Sequence, residues 1–258
     1  MDKPPIPSYV KPPVTEVAAG VTLAPLAMQT RHIGQFWTEI RDEYPVTEDA
    51  PPVPIEIGQP VPELKLFSVP PLRRAFLITQ NREYIMQIQE GKFLHNWRRF
   101  PADAVYPRYP AVLQRFRDAW EKYAHFLLRA DLGVPQVTGY ELTYVNELGG
   151  PNKEQVSELI KPLDWNQLGP KFLVQPPQLM NISWSFSLPD GKGSMNVSIN
   201  RGPNPGGGGS ALLVLSCQGP SSANYSLNDW FDTAREWIVN GFTDLTTKTA
   251  HKVWERDA

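Results

Sequence analysis

The sequence predicts an α+β fold from three observations. Several short segments alternate apolar and polar residues with a period of two. Two long segments carry apolar stripes at helical spacing. The same order of elements occurs in both halves of the chain. The expected architecture is a pseudo-duplicated, large antiparallel sheet of about eight strands with two long helices packed on one face. By analogy of architecture it is helix-grip or saddle-like. A Pro-rich extended arm is expected over residues 1–13 and a single α+β domain over 14–258, built from two pseudo-repeats, 14–132 and 136–258. Residue identity between the halves is negligible, so only the pattern repeats.

The arm, "MDKPPIPSYVKPP", has no apolar core of the kind a signal peptide needs, and it reads as extended chain. In "VTEVAAGVTL" Val17, Ala19, Val21 and Leu23 share one strand face. In "RHIGQFWTEIRDEYP" Ile33, Phe36, Trp37, Ile40 and Tyr44 fall at helical spacing, and Pro45 stops the helix. Residues 46–71 are proline-rich and read as an ordered crossing. "LRRAFLIT", "EYIMQIQE" and "FLHNWRR" read as three strands, with Tyr84, Met86 and Ile88 opposite Ile85, Gln87 and Gln89. "YPAVLQRFRDAWEKYAHFLLRADLG" is the clearest helix, with Leu113, Phe116, Trp120, Tyr123 and Leu127 on its stripe, Pro110 in its first turn and Gly133 at its end.

The second half opens with the strand "QVTGYELTYVNEL" and a short helix, "NKEQVSELI". A hairpin follows, "NISWSFSLPDGKGSMNVSIN", turning at Asp190-Gly191 through a loop longer than two residues. "ALLVLSCQ" is a further strand. "SLNDWFDTAREWIVNGFTDL" is a second strong helix, and "TTKTAHKVWER" a short closing one.

Composition excludes little. Apolar residues make 41% of the chain, enough for a substantial core, and the formal charge of -2 gives no general reason to expect nucleic acid. Basic residues do concentrate between Arg73 and Arg129, where a patch for an acidic partner competes with an ordinary solvated helix face. The lone Cys217 allows no internal disulfide and reads as a packed or partly exposed thiol, and a cytoplasmic protein without a membrane span is expected.

Catalytic patterns are sparse. His32, His95, His125 and His251 form no metal-ligand spacing, and His95 and His125 read as structural. "RGPNPGGGGS" precedes a strand instead of a helix and reads as a hairpin loop, not a phosphate cradle. Asp229, Asp232 and Glu236 read as solvent groups. Trp37, Trp120, Trp184, Trp230 and Trp237 read first as core, while Trp165 and Trp254 are better interface candidates. No catalytic, cofactor-binding or metal-ligating residue is assigned, and no cofactor is expected.

What the periodicity singles out is a polar sheet face. If helices cover the apolar side, Gln87, Gln89, Ser183, Ser185, Ser187, Asn196 and Ser198, with Glu141 and Thr143, lie on the open side. Small hydroxyls and amides permit close approach and hydrogen bonding without desolvating charge. The first expectation is therefore a non-catalytic binding or scaffold protein that engages a protein partner or a second copy. The alternatives are a small-molecule binder or enzyme with a pocket lined by Trp120, Trp184 and Trp237, and nucleic-acid binding through residues 73–129.

Several stretches resemble a sporadically distributed bacterial family of uncharacterised proteins of about this length. They are "PPVTEVAAGVTLAPL", "FWTEIRDEYP", "FLHNWRRF" with "YPRYP", "GYELTYVNEL", "FSLPDGKGSMNVSIN" and "WFDTAREWIVNGFTDLTT" with "HKVW". The resemblance spans the chain, with Lys248 standing where the family pattern has proline at the start of the last helix. It implies a bacterial, cytoplasmic protein with an accessory role, compatible with defence or mobile-element systems, and carries over no activity or catalytic residues.

Overall fold

The computed structural model describes residues 5–52, 72–149, 180–201 and 210–257. The short helix expected at "NKEQVSELI", Trp165, the Gly-rich loop and residues 53–71 of the crossing lie outside them. In chain order the elements are β1 (Val14–Leu23), α1 (Thr30–Ile40), β2 (Val46–Ala50), β3 (Arg74–Ile78), β4 (Tyr84–Gln89), β5 (Lys92–Arg98) and α2 (Tyr109–Arg129). They continue with β6 (Val137–Leu148), β7 (Met180–Ser187), β8 (Ser194–Arg201), β9 (Ala211–Pro220), α3 (Leu227–Leu245) and α4 (Lys248–Val253).

The strands form one antiparallel sheet in the order β2-β3-β4-β5-β1-β6-β9-β8-β7. Among the described residues it has nine strands, where periodicity predicts about eight. The addition is β2, from a stretch expected to be a crossing. Pro45 and Pro51 bracket the "VTEDA" segment without interrupting it, so it pairs with β3 from Val46↔Ile78 to Ala50↔Arg74. It ends the sheet order, and its exposed Glu48 and Asp49 pair with Arg82 and Arg73. Charge on a terminal strand discourages further strand addition.

Two compact units make up the chain. One comprises Glu16–Leu142 with Gln218–Leu227. Here the β1–β5 register sets Val17 opposite Trp97, Ala19 opposite His95 and Val21 opposite Phe93. Those side chains meet α1 and α2: Phe93 stacks on Tyr123 at 4.9 Å, and Phe36 of α1 meets the same tyrosine at 5.2 Å. Phe36, Phe93, Phe116, Tyr123 and Leu127 are all essentially inaccessible to water, each stabilising the fold by roughly 1.5–3 kcal/mol of apolar burial. At the end of α2, Leu132 N–H donates to the Leu127 carbonyl at 3.0 Å and Asp131 N–H to that of Leu128 at 3.3 Å. Asp131, at φ 56°, makes the left-handed turn. The helix closes in a Schellman motif on Asp131, two residues before Gly133, the glycine the sequence points to.

The other unit comprises Met1–Thr15, Thr143–Cys217 and Asn228–Ala258. Leu213, Leu215 and Cys217 of β9 and Met195, Val197 and Ile199 of β8 are buried, as are Trp230, Phe231, Ala234, Ile238 and Phe242 of α3. Cys217 Sγ lies 3.6 Å from the Ala234 carbonyl, and burial pushes its thiol up to about 12. Gly241 lets α3 approach β8, since a Cβ there would meet Met195 Cε at 3.0 Å. Thr247 caps α4 by accepting from Ala250 N–H at 3.2 Å, so the helix opens at Lys248 without a proline. The arm is docked at 8–11, shortly before β1. Val10 and Lys11 N–H donate to the carbonyls of Glu255 and Trp254, and Asp257 N–H donates to Ser8.

Candidate partner-binding surface

The hairpin β7–β8 is in the register that the alternation implies. Ile182 faces Ile199, Trp184 faces Val197 and Phe186 faces Met195; between them Ser183 faces Ser198, Ser185 faces Asn196 and Ser187 faces Ser194. The left-handed residues Asp190 and Gly191, at φ 55° and 66°, make the turn, and Leu188 N–H closes the loop on the Gly193 carbonyl at 2.8 Å. Strand alternation then sorts the two faces. Met195, Val197 and Ile199 are buried, whereas Ser183, Ser185, Ser187 and Asn196 are exposed. Ser198 is half-buried and accepts from Asn200 Nδ2 at 3.2 Å.

The same face continues on β9 and β6 within this unit. Ser216 and Thr143 share a hydrogen bond of 2.6 Å between hydroxyls. Leu212 is 41% exposed and Val214 half-buried on the side of β9 opposite its buried residues. These two apolar members are not legible in "ALLVLSCQ", because an unbroken apolar run conceals which residues point outward.

The surface carries hydroxyls and amides and no formal charge at the named serines and asparagines. Each hydroxyl both donates and accepts, and each amide offers two donors and an acceptor. Such a surface can form hydrogen bonds in both directions without desolvating a charge.

Gln87 and Gln89 do not join this surface. They are 9% and 3% exposed. Every residue of β4 is buried, so this strand has two covered faces. Its supposedly open face carries Ile85, and the neighbouring strands add Phe76, Ile78 and Leu94, an apolar content in keeping with a covered face. Glu141 is likewise not a solvent group, since it pairs with the buried Lys92 at 2.5 Å.

The same covered face holds a polar cluster. Asn96, 1% exposed, donates through Nδ2 to Glu16, and its Oδ1 has no hydrogen-bond partner. Arg74 donates to Gln87 Oε1 at 3.2 Å. Burial raises the Glu16 carboxyl above its usual range, against the opposing pull of the Asn96 hydrogen bond, Arg98 and Arg74.

On the helix side, His95 is fully buried with Nε2 3.0 Å from Tyr44 Oη, and Nδ1 has no partner. Only one of its two ring nitrogens is therefore satisfied, where the sequence reading expects a satisfied histidine. Burial, with Arg115 and Lys122 nearby, depresses it to about 3. Tyr44 is pushed well above its ordinary value, chiefly by burial. At neutral pH this pair is therefore a neutral imidazole and a neutral phenol.

The remaining candidates are placed as follows. His125 is exposed on α2. Trp120 packs against Phe93 and Tyr123. Trp237 and Phe186 line a cleft of about 430 Å³ with Met195, Asn240, Gly241 and Leu245, and Glu236 and Asp244 complete its lining. Trp254 is a core residue, 7% exposed, against Tyr9 and Phe242. Many cations between Arg73 and Arg129 face carboxylates: Arg82 with Glu48, Lys92 with Glu141, Lys122 with Glu43 and Arg129 with Glu39. Among the described residues no group of His, Cys, Asp and Glu could hold a metal ion, and no helix is long and apolar enough to cross a membrane.

Comparison with protein-family models, with curated proteins and with solved structures finds no match.

Proposed function

We propose that this chain is a non-catalytic binding protein whose β7–β8 hairpin offers its uncharged face to a protein partner. The observation that carries this reading is the side-chain sorting of the hairpin. The apolar residues of β8 are spent on the core, and Ser183, Ser185, Ser187 and Asn196 are left in solvent. Leu212 and Val214 add apolar contact area beside them, and a mixture of apolar and uncharged hydrogen-bonding groups is the usual character of an interface centre. The neutral His95–Tyr44 pair supplies no base in keeping with enzyme chemistry. The carboxylates paired with the cations of residues 73–129 weaken the field that nucleic-acid binding would need. The sequence resemblance supports a bacterial accessory role, and the single buried thiol of Cys217 is compatible with the cytoplasm.

The test is a charge insertion. Ser185→Arg combined with Ser198→Arg places two guanidinium groups on the face, close to each other across the hairpin. Proteins recovered with the wild-type chain from its native host are purified and assayed for direct binding. The double variant should lose that binding while its thermal unfolding midpoint stays within a few degrees of wild type. Undiminished binding by a folded double variant would overturn the assignment of this face.

A further inference from the structure

The polar cluster around Glu16, on the covered face of β4 and β5, is incomplete. Asn96 Nδ2 is taken by Glu16, while the buried Asn96 Oδ1 has no hydrogen-bond partner. Its cross-strand neighbours are Ala18 on β1 and Ile85 on β4, and neither side chain can donate. Two guanidinium groups stand near the same carboxylate and favour its charged form, Arg98 from the position opposite Glu16 and Arg74 from β3. Arg98 is aimed by its Nε–H bond to the Arg82 carbonyl at 2.7 Å. Arg74 is aimed by its bond to Gln87 at 3.2 Å and lies over the Phe76 ring at 4.9 Å. Arg98 Nη2 and Arg74 Nε remain buried without a partner.

Buried polar groups are almost always paired. Three orphans near one carboxylate mark a place that a molecule from outside the chain completes. Water satisfies hydrogen bonds but leaves two guanidiniums against one carboxylate. Burial lowers Arg74 from its ordinary value, against the raising pull of Glu16, the sign of a cation that has lost water without full compensation. The orphans also specify the guest. Two cationic donors call for an oxyanion, and a neutral carbonyl oxygen beside them calls for a donor on the same molecule. A carboxylate with a hydroxyl on the adjacent carbon meets both demands and supplies the missing negative charge.

We infer that this cluster binds a small hydroxycarboxylate, its carboxylate held by Arg74 and Arg98 and its hydroxyl donating to Asn96 Oδ1. Asn96 is the floor of the site, and the half-buried Glu16, Arg74 and Arg98 are its rim. The site lies in the compact unit that does not contain the hairpin, and neither reading depends on the other.

The experiment uses the full chain with isotope-labelled arginine and four probes: lactate, propionate, lactamide and inorganic phosphate. The Nε–H resonances of Arg74 and Arg98 are assigned with Arg74→Lys and Arg98→Lys. Lactate should shift both saturably. Propionate, which lacks the hydroxyl, and lactamide, which lacks the charge, should bind at least about tenfold more weakly. Arg74→Gln should weaken lactate binding by a similar factor while its unfolding midpoint stays within a few degrees of wild type. Should that variant unfold, the comparison of probes on the wild-type chain carries the test alone. Equal affinity for lactate and lactamide, or no saturable shift with any probe, would leave trapped water as the partner and overturn the site. Propionate binding as tightly as lactate would overturn the role of Asn96. Phosphate binding more tightly than lactate would overturn the ligand class in favour of an inorganic oxyanion. None of these outcomes bears on the serine face.

Discussion

Tyr9 Oη lies 2.8 Å from Thr243 Oγ1, joining residues 234 positions apart in the chain. Thr243 donates its own proton to the Val239 carbonyl at 2.9 Å, so Tyr9 is the donor between the two hydroxyls. The tyrosine ring meets Phe242 edge-on at 5.4 Å and Trp254 at 6.3 Å, and is 5% exposed. A Pro-rich arm is stiff enough that ordering it costs less entropy than ordering a glycine-rich one, and the Tyr9 side chain anchors it beside the backbone bonds of Ser8, Val10 and Lys11. Tyr9→Phe removes the hydroxyl with its bond to Thr243 and should cost about 1 kcal/mol. Tyr9→Ala also empties the aromatic site and should cost about 3–5 kcal/mol. Urea denaturation followed by tryptophan fluorescence separates these values. Equal losses for the two variants would mean that the ring contributes nothing beyond its hydroxyl.

Lys92 and Glu141 form an ion pair at 2.5 Å with side chains 8% and 14% exposed, on the sheet face that was expected to be open. Burying two charges costs several kcal/mol per ion, which their attraction offsets only while both are present. Lys92→Met alone should therefore destabilise by about 3–5 kcal/mol, because it leaves the largely buried Glu141 carboxylate without the opposite charge of Lys92. Lys92→Met with Glu141→Leu should recover most of that loss. A double-mutant cycle by chemical denaturation measures the coupling. Additive losses would indicate that water reaches the pair.

Why the hairpin was legible and β4 was not follows from the residues themselves. In "NISWSFS" and "SMNVSIN" the two faces differ cleanly, so period two assigns the exposed polar set and the buried set of β8, although Ile182 and Trp184 of β7 are only half-buried and Phe186 is exposed. In "EYIMQIQE" the second face mixes Ile85 with Gln87 and Gln89, and alternation alone assigns it to solvent. Burial on both faces leaves a different trace, large apolar residues at the same level on adjacent strands; Leu94 lies opposite Gln87, with Ile85 further along the same face. Short helical caps were also ambiguous. Gly133 was the obvious helix terminator, but Asp131 can adopt the left-handed conformation and comes first. The docking of the arm could not be read from sequence, because Tyr9 and Thr243 meet only after the whole chain has folded.

The pH dependence of stability should carry the mark of His95. Its folded value, about 3, lies below the ordinary 6.5 because burial, then Arg115 and Lys122, disfavour the imidazolium. The unfolded state therefore takes up a proton that the folded state refuses between about pH 6.5 and 3. The resulting stability is fully present above pH 6.5 and is lost as pH falls through that window. Glu16 acts in the opposite sense: its folded carboxyl is raised, chiefly by burial, so acidification relieves a cost there. Replacing His95 isolates its contribution. His95→Gln keeps a polar group facing Tyr44 and has no titrating nitrogen. Between pH 4 and 6 the wild-type unfolding free energy should fall more steeply than that of the variant, by up to about 1.4 kcal/mol per pH unit, the equivalent of one proton. Guanidinium denaturation across that range, with potentiometric proton uptake on unfolding, tests the sign. Identical slopes in the two proteins would mean that the folded state also binds the proton, and that the Tyr44–His95 contact opens to water before the fold is lost.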